Sequence, residues 1–339
     1  MSKVLFILKR REDYSAKIHS HIGLSTGLYN SAKFMNDMLN DSGIQSVLEI
    51  AIDNNCIDGL VNLHKPTHVI IEALWVIPPK FSILQKLHPG VKWIIRLHSE
   101  MPFMAGEGMA MDWLGDYATF KNVIIACNAP RMLKEIQLYL GTEKVIYLPN
   151  FYPQEYKSKK INRNKEYLDI SCFGAIRPLK NHLVQAFAAI AFANKLGKKL
   201  RFHVNAGRIE MNGNSALRNL KCLFQQLSLM GTGHQLINHQ WTPREQFLEL
   251  CSQMDIGMQC NFSETFNIVG ADLVSQGVPL IGSKEIPWSA FNADCTNSDD
   301  ITQVLITSYK YPRLNAFVNQ FHLKYYTNKT RKIWIKYFQ

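Results

Sequence analysis

The chain has 339 residues, 47% hydrophobic and 19% charged, which is material for two α/β domains with their own cores and excludes a disordered or repeat protein. The net charge of +11 is uneven: residues 1–150 hold 15 Lys and Arg against 14 Asp and Glu, and 168–310 hold 12 against 11, whereas 151–167 hold 5 against 2 and 311–339 hold 6 against none. No apolar run approaches the ~18 residues of a transmembrane helix, Val4–Leu8 has its charge on the wrong side for a signal peptide, and the seven scattered cysteines form no Cys-x-x-Cys, which leaves free thiols in a reducing cytoplasm as the expectation.

In chain order, the first predicted element is a strand over Val4–Leu8. A helix follows, with Leu24, Leu28, Ala32, Met35 and Leu39 recurring on one face, opened by the turn Leu24-Ser-Thr-Gly27-Leu. Strands are predicted over Val47–Ile52, His68–Leu74, Trp93–His98, Val123–Cys127 and Val145–Leu148. Residues 150–165 have linker composition, so a boundary falls there. Beyond it come strands over Ile170–Ile176, Leu200–Val204, Gln235–His239, Ile256–Cys260 and Val278–Ile281, alternating with helical patterns over Leu183–Ala193, Leu217–Leu229, Phe247–Cys251 and Ile268–Val274. Most strand runs are continuously apolar, as in a parallel sheet covered on both faces. Two rounds of this alternation predict two doubly wound domains, with ligands beyond the carboxyl ends of the strands and a cleft between facing domains.

Three strand ends carry chemistry. After Ile256–Cys260 comes Asn261-Phe-Ser-Glu-Thr-Phe-Asn-Ile-Val-Gly-Ala-Asp272, with Ser263 as a plausible cap, Glu264 near a helix N-terminus suited to phosphate, and Asp272 about two turns on, able to bind a diol. After the first strand past the linker comes Phe173-Gly-Ala-Ile-Arg-Pro-Leu-Lys-Asn, whose Arg177 and Lys180 can neutralise a diphosphate leaving group. In the first half, Arg96-Leu-His-Ser-Glu puts His98 at a strand end.

Together, and in order from about Gly27 to Gly282, these segments resemble the retaining GT-B glycosyltransferases, whose fold is two Rossmann-like domains facing a cleft. The resemblance implies that Glu264 contacts the transferred sugar, that backbone amides around Phe266, Asn267 and Ile268 hold the distal phosphate, and that Asp272 binds the ribose. It places Arg177 and Lys180 on the pyrophosphate, His98 near the sugar and Gly27 beside the phosphates. Leu236-Ile-Asn-His-Gln-Trp-Thr-Pro resembles the turn that cradles the base, with His239 or Trp241 lining it. Two positions depart from the family: Asp272 stands for the usual Glu, and Asn267 for a common Gly. The implied organisation is an acceptor-side domain over 1–150, a linker over 151–167, a nucleotide-sugar domain over 168–310 and a basic helix over 311–339 crossing back to the first domain.

With no Asp-x-Asp triplet, a metal-independent reaction is expected, with no cofactor beyond the donor, a UDP-sugar. The basic stretches, including Lys159, Lys160, Arg331 and Lys332, interleave with Trp334, Tyr337 and Phe338 in the tail, a pattern that suits a phosphate backbone. Viruses of bacteria encode enzymes of this type that glycosylate hydroxymethylated DNA bases, so the expected acceptor is nucleic acid. The alternatives are a saccharide or lipid-linked glycan precursor, and a non-catalytic basic nucleic-acid-binding protein on the same scaffold.

Overall fold

The computed structural model describes residues 2–10, 26–153, 155–159, 165–210 and 213–339. Lys160 and the Leu24-Ser25 part of the first glycine turn lie outside these residues. The chain divides into two compact units, Met1–Pro153 with Thr327–Gln339, and Gln154–Tyr326.

The first unit is a parallel sheet of β1 (Lys3–Lys9), β2 (Gln45–Ala51), β3 (His68–Glu72), β4 (Lys92–Leu97), β5 (Val123–Cys127) and β6 (Val145–Tyr147), in the order β2-β1-β3-β4-β5-β6. Its strands are largely apolar because both faces of the sheet are covered. Leu5, Ile7, Val69, Ile71, Trp93 and Ile95 pack into one core. Val4, Phe6, Ile70 and Ile94 pack into the other, under Met35, Met38 and Leu39 of the helix Thr26–Asp41.

Trp334 and Phe338, from the end of the long helix Pro312–Phe338, belong to that second core. Trp334 stacks on Phe6 with centroids 5.9 Å apart, and its Nε1 donates to the carbonyl of Pro149 at 2.8 Å. This corrects the expectation that the tail aromatics stand open beside the cations: Trp334 and Phe338 are core residues, 0% and 1% exposed. Among the predicted polyanion-binding cations, Lys332 is exposed. Arg331 is exposed and donates from Nε and Nη2 to Ser42 Oγ, at 3.2 Å each. Lys159 instead turns its ammonium onto the carbonyl of Met254, and burial pulls its pKa down to about 8.

The second unit is a parallel sheet of β7 (Tyr167–Ser171), β8 (Lys199–Val204), β9 (Gln235–Asn238), β10 (Ile256–Gln259) and β11 (Leu280–Gly282), in the order β11-β10-β7-β8-β9. The direction of winding reverses between β7 and β10, where open α/β sheets bind ligands. β7 ends sooner than its apolar run predicts. Gly174, at φ +121°, turns the chain out of the sheet, and residues 172–176 become the approach to a turn. Residues 155–159, despite their linker composition, are built into this unit. The Lys157 amide donates to the carbonyl of Ser275 at 2.7 Å, and a Cβ on Gly277 would meet the Lys157 carbonyl at 2.7 Å.

A polar seam crosses β7 and β8. Asp169 accepts from Lys165 Nζ at 3.2 Å and lies 3.1 Å from His203 Nε2, whose other nitrogen is 2.9 Å from His239 Nε2. Burial works to raise the Asp169 carboxyl, but the hydrogen bonds and charges of His203 and Lys165 outweigh it and hold the pKa at about 2. A depressed carboxylate pKa contributes stability above its unfolded value near 4, lost as pH falls through the folded value. Asp169→Asn is therefore expected to cost about 2 kcal/mol at neutral pH. In urea melts the gap to wild type narrows as pH falls from 4 towards 2; a constant gap refutes the assignment.

Candidate active site

At the reversal point of the second sheet, two turns are stitched together. After β7 the chain reaches a 3₁₀ turn over Pro178–Lys180, then Asn181 in the left-handed region at φ 56°, then the helix His182–Lys195. The Asn181 amide reaches across to the carbonyls of Cys260 at 3.0 Å and Cys295 at 2.6 Å. Gln185 donates to the Lys180 carbonyl at 2.8 Å and accepts from the Cys260 amide at 2.9 Å. The Phe262 amide donates to the carbonyl of Leu179 at 3.0 Å. Buried polar side chains thus fix the turn after β7 against the loop after β10.

That loop carries Glu264. Asn267, not Ser263, caps the helix Ile268–Ser275: it sits at φ 64°, and its Oδ1 accepts from the Gly270 amide at 2.7 Å. The positive φ suits Asn, which tolerates the left-handed region and caps well. Gln259 on β10 accepts from Asn267 Nδ2 at 2.8 Å, Trp288 Nε1 donates to the Phe266 carbonyl at 2.6 Å, and Ser283 Oγ donates to that of Asn261 at 2.7 Å. Ile268 is the first residue of the helix. A Cβ on Gly257 would lie 2.6 Å from Leu273 Cδ1, so glycine lets this helix press onto β10.

The structure joins the two predicted motifs through charge. Lys180, 8% exposed, donates to Glu264 Oε1, which also accepts from Asn261 Nδ2 at 3.1 Å. Burial above all, helped by Arg177, pulls the Lys180 ammonium below the usual lysine range, while Glu264 opposes the shift. Arg177 lies 3.5 Å from Glu210, which also pairs with Arg208.

Asp272 lies on the same short helix, 3% exposed, with its Oδ1 2.7 Å from Arg244 Nη1. Sequence reasoning missed Arg244; it opens the helix Arg244–Gln253, and nothing in its local pattern points to Asp272. His239 is half-buried beyond β9, with Phe173 edge-on at 5.8 Å. Trp241 is half-buried beneath Arg208, whose Cζ lies 5.5 Å from the ring centroid.

In the first unit, Gly27 is the second residue of the helix Thr26–Asp41. His98 follows β4, and its Nε2 is hydrogen-bonded to Glu72 at the end of β3. Glu72 and Arg96 face each other in register, both fully buried, with Arg96 Nη1 3.1 Å from each carboxylate oxygen. Arg96 also donates from Nε to the carbonyl of Leu148 at 3.1 Å and from Nη2 to Asn150, and lies 5.2 Å from the centroid of the Trp334 ring. Burial acts to raise the Glu72 carboxyl, but Arg96 and His98 together hold it below the usual range. Burial pulls His98 down, and Glu72 only partly restores it. A neutral His98 gives its Nε2 hydrogen to the carboxylate, which only accepts. Sequence reasoning missed Glu72, although a lone acid ending one apolar strand and a lone Arg at the matching place in the next is a readable sign of a buried pair.

No known protein family matches the sequence, and no curated protein matches it. Solved structures match in fold. Sucrose-phosphate synthase from Thermosynechococcus elongatus superposes with a TM-score of 0.68 at 10% identity, over 95% of this chain and 94% of that one. Anabaena HepE, solved with UDP and glucose, gives 0.61 at 13% identity over 98% and 96%. A UDP-forming α,α-trehalose-phosphate synthase from Burkholderia xenovorans gives 0.65 at 11% identity over 100% and 98%. The chain has the GT-B fold, with two Rossmann-like α/β units.

Proposed function

We propose that this protein is a retaining glycosyltransferase that moves a sugar from a UDP-sugar to an acceptor hydroxyl. The observation that carries the reading is the Lys180–Glu264 pair at the strand-order reversal, together with a second pair, Arg244–Asp272, whose acid lies on the helix that follows the Glu264 loop. A nucleoside-diphosphate sugar offers both kinds of partner at once: phosphates for the cations, sugar and ribose hydroxyls for the carboxylates. The fold likeness to HepE, solved with UDP and glucose, supports UDP as the nucleotide.

In this reading Arg177, Lys180 and the positive end of the helix Ile268–Ser275 take the diphosphate charge, so no metal is needed. Amides around Phe266, Asn267 and Ile268 hold the distal phosphate and Gly27 lies beside it; Glu264 accepts from the sugar hydroxyls, Asp272 from the ribose, and His239 with Trp241 flanks the base. His98 helps to hold the transferred sugar. The bond from the anomeric carbon to the distal phosphate breaks, the acceptor oxygen bonds to that carbon from the same face, and its proton leaves with the phosphate.

A DNA-base acceptor drew on tail aromatics standing free, and with Trp334 and Phe338 in the core it loses that support. A saturating UDP-sugar is expected to stabilise the protein by about 3 kcal/mol at a hundred times its dissociation constant, read as a rise in Tm. UDP is expected to appear on incubation, and Asp272→Asn to abolish most of the thermal shift. If no nucleotide sugar shifts Tm and none is cleaved, the chain is a binding protein on a transferase scaffold.

A further inference from the structure

The helix Pro312–Phe338 is turned inside out over its first half. Beside Ala316 and Leu323, its buried face carries polar side chains: Asn315 and Asn319 are both 0% exposed. Asn315 accepts from the Leu280 amide at 2.8 Å and donates to the Leu280 carbonyl at 3.0 Å, while Asn319 accepts from the Ala290 amide at 2.9 Å. These side chains satisfy the outer edge of β11, the terminal strand, at Leu280, while its Gly282 end is bridged to Asn292. The apolar residues are consequently pushed outward. Leu314, Phe317, Phe321 and Tyr325 recur at three- and four-residue spacing on one face, with Tyr311 just ahead of the helix, and are 49–67% exposed.

Five large apolar side chains in a row are far more than the scattered exposed hydrophobics of an ordinary surface. Exposed Arg313 and Lys324 flank the stripe, exposed Lys329 and Lys332 follow along the same helix, and residues 311–339 contain six Lys and Arg and no Asp or Glu. Among the described residues no helix is long and apolar enough to cross a membrane.

We propose that this face docks on an anionic lipid surface, with Phe317 and Phe321 seated at the headgroup boundary and the flanking cations on the acidic headgroups. The charge selects this occupant. A second copy would set one set of unopposed cations against another. A nucleic-acid strand would satisfy the cations but leave the aliphatic and aromatic stripe in water.

The test is co-sedimentation of the full chain with phosphatidylserine-containing vesicles and with phosphatidylcholine vesicles. Wild type is expected to pellet with the former only. Phe317→Ser/Phe321→Ser is expected to weaken that binding by about tenfold or more, and Arg313→Gln/Lys324→Gln to weaken it and flatten its salt dependence. All these residues are exposed, so unchanged circular-dichroism melts establish that the variants fold. The proposal is overturned if wild type stays in the supernatant with phosphatidylserine, or if the Phe variant pellets as well as wild type. It is equally overturned if the stripe instead governs a concentration-dependent dimer or retention of single-stranded DNA.

Discussion

Lys180→Ala is expected to lower turnover of the sugar donor by about a hundredfold or more, with a smaller change in KM. The ammonium is held in a buried turn fixed by Asn181 and Gln185, so its position owes little to the ligand. Preorganised charge of this kind stabilises what develops in the transition state, in the proposed reaction the departing diphosphate. Glu264→Gln tests the other half of the pair. It keeps the shape and the hydrogen bond from Asn261, removes the charge, and is expected to reduce turnover to a similar degree. Because the two groups share one contact, the double variant should lose much less than the product of the single losses. Steady-state UDP release measures all three, and a melt of each variant separates catalytic loss from unfolding. Near wild-type turnover in either single variant would show that the site lies elsewhere.

Most of the described strands are foreshadowed by apolar runs, because a strand covered on both faces has little room for alternation. The errors come where one residue's backbone overrides its neighbourhood. Gly174 ends β7 early, and Asn267 starts the short helix later than Ser263 suggests. Lys180 and Glu264 are each legible in their own motif; their contact is not, because 84 residues separate them and only the winding reversal brings β7 beside β10. The tail misleads for a different reason. Its cations are visible in the composition, but a helix whose inward face is asparagine and threonine hides which aromatics are core and which are surface until its partners are known.

Arg96→Met is expected to destabilise the first unit by about 3–5 kcal/mol at neutral pH, among the largest losses for one residue in this chain. The replacement fills a similar volume, so the cost comes mainly from the Glu72 carboxylate, which stays fully buried without its guanidinium. The pH dependence identifies the cause. Glu72 is held below the usual carboxylate range, so in wild type its ionised form contributes stability above the unfolded pKa, lost as pH falls through the folded one. Without Arg96, burial raises the Glu72 pKa and the group can protonate. The deficit against wild type in urea melts should therefore be largest near neutral pH and shrink as pH falls towards about 4. A deficit that does not change with pH would point to lost packing against Trp334 instead. Arg96→Met/Glu72→Leu removes both charges and should recover much of the stability. It also takes away the carboxylate that orients His98, so the double variant is expected to be folded yet at least about tenfold slower in sugar transfer. Restored stability with undiminished turnover would confine the pair to a structural part and remove His98 from the reaction.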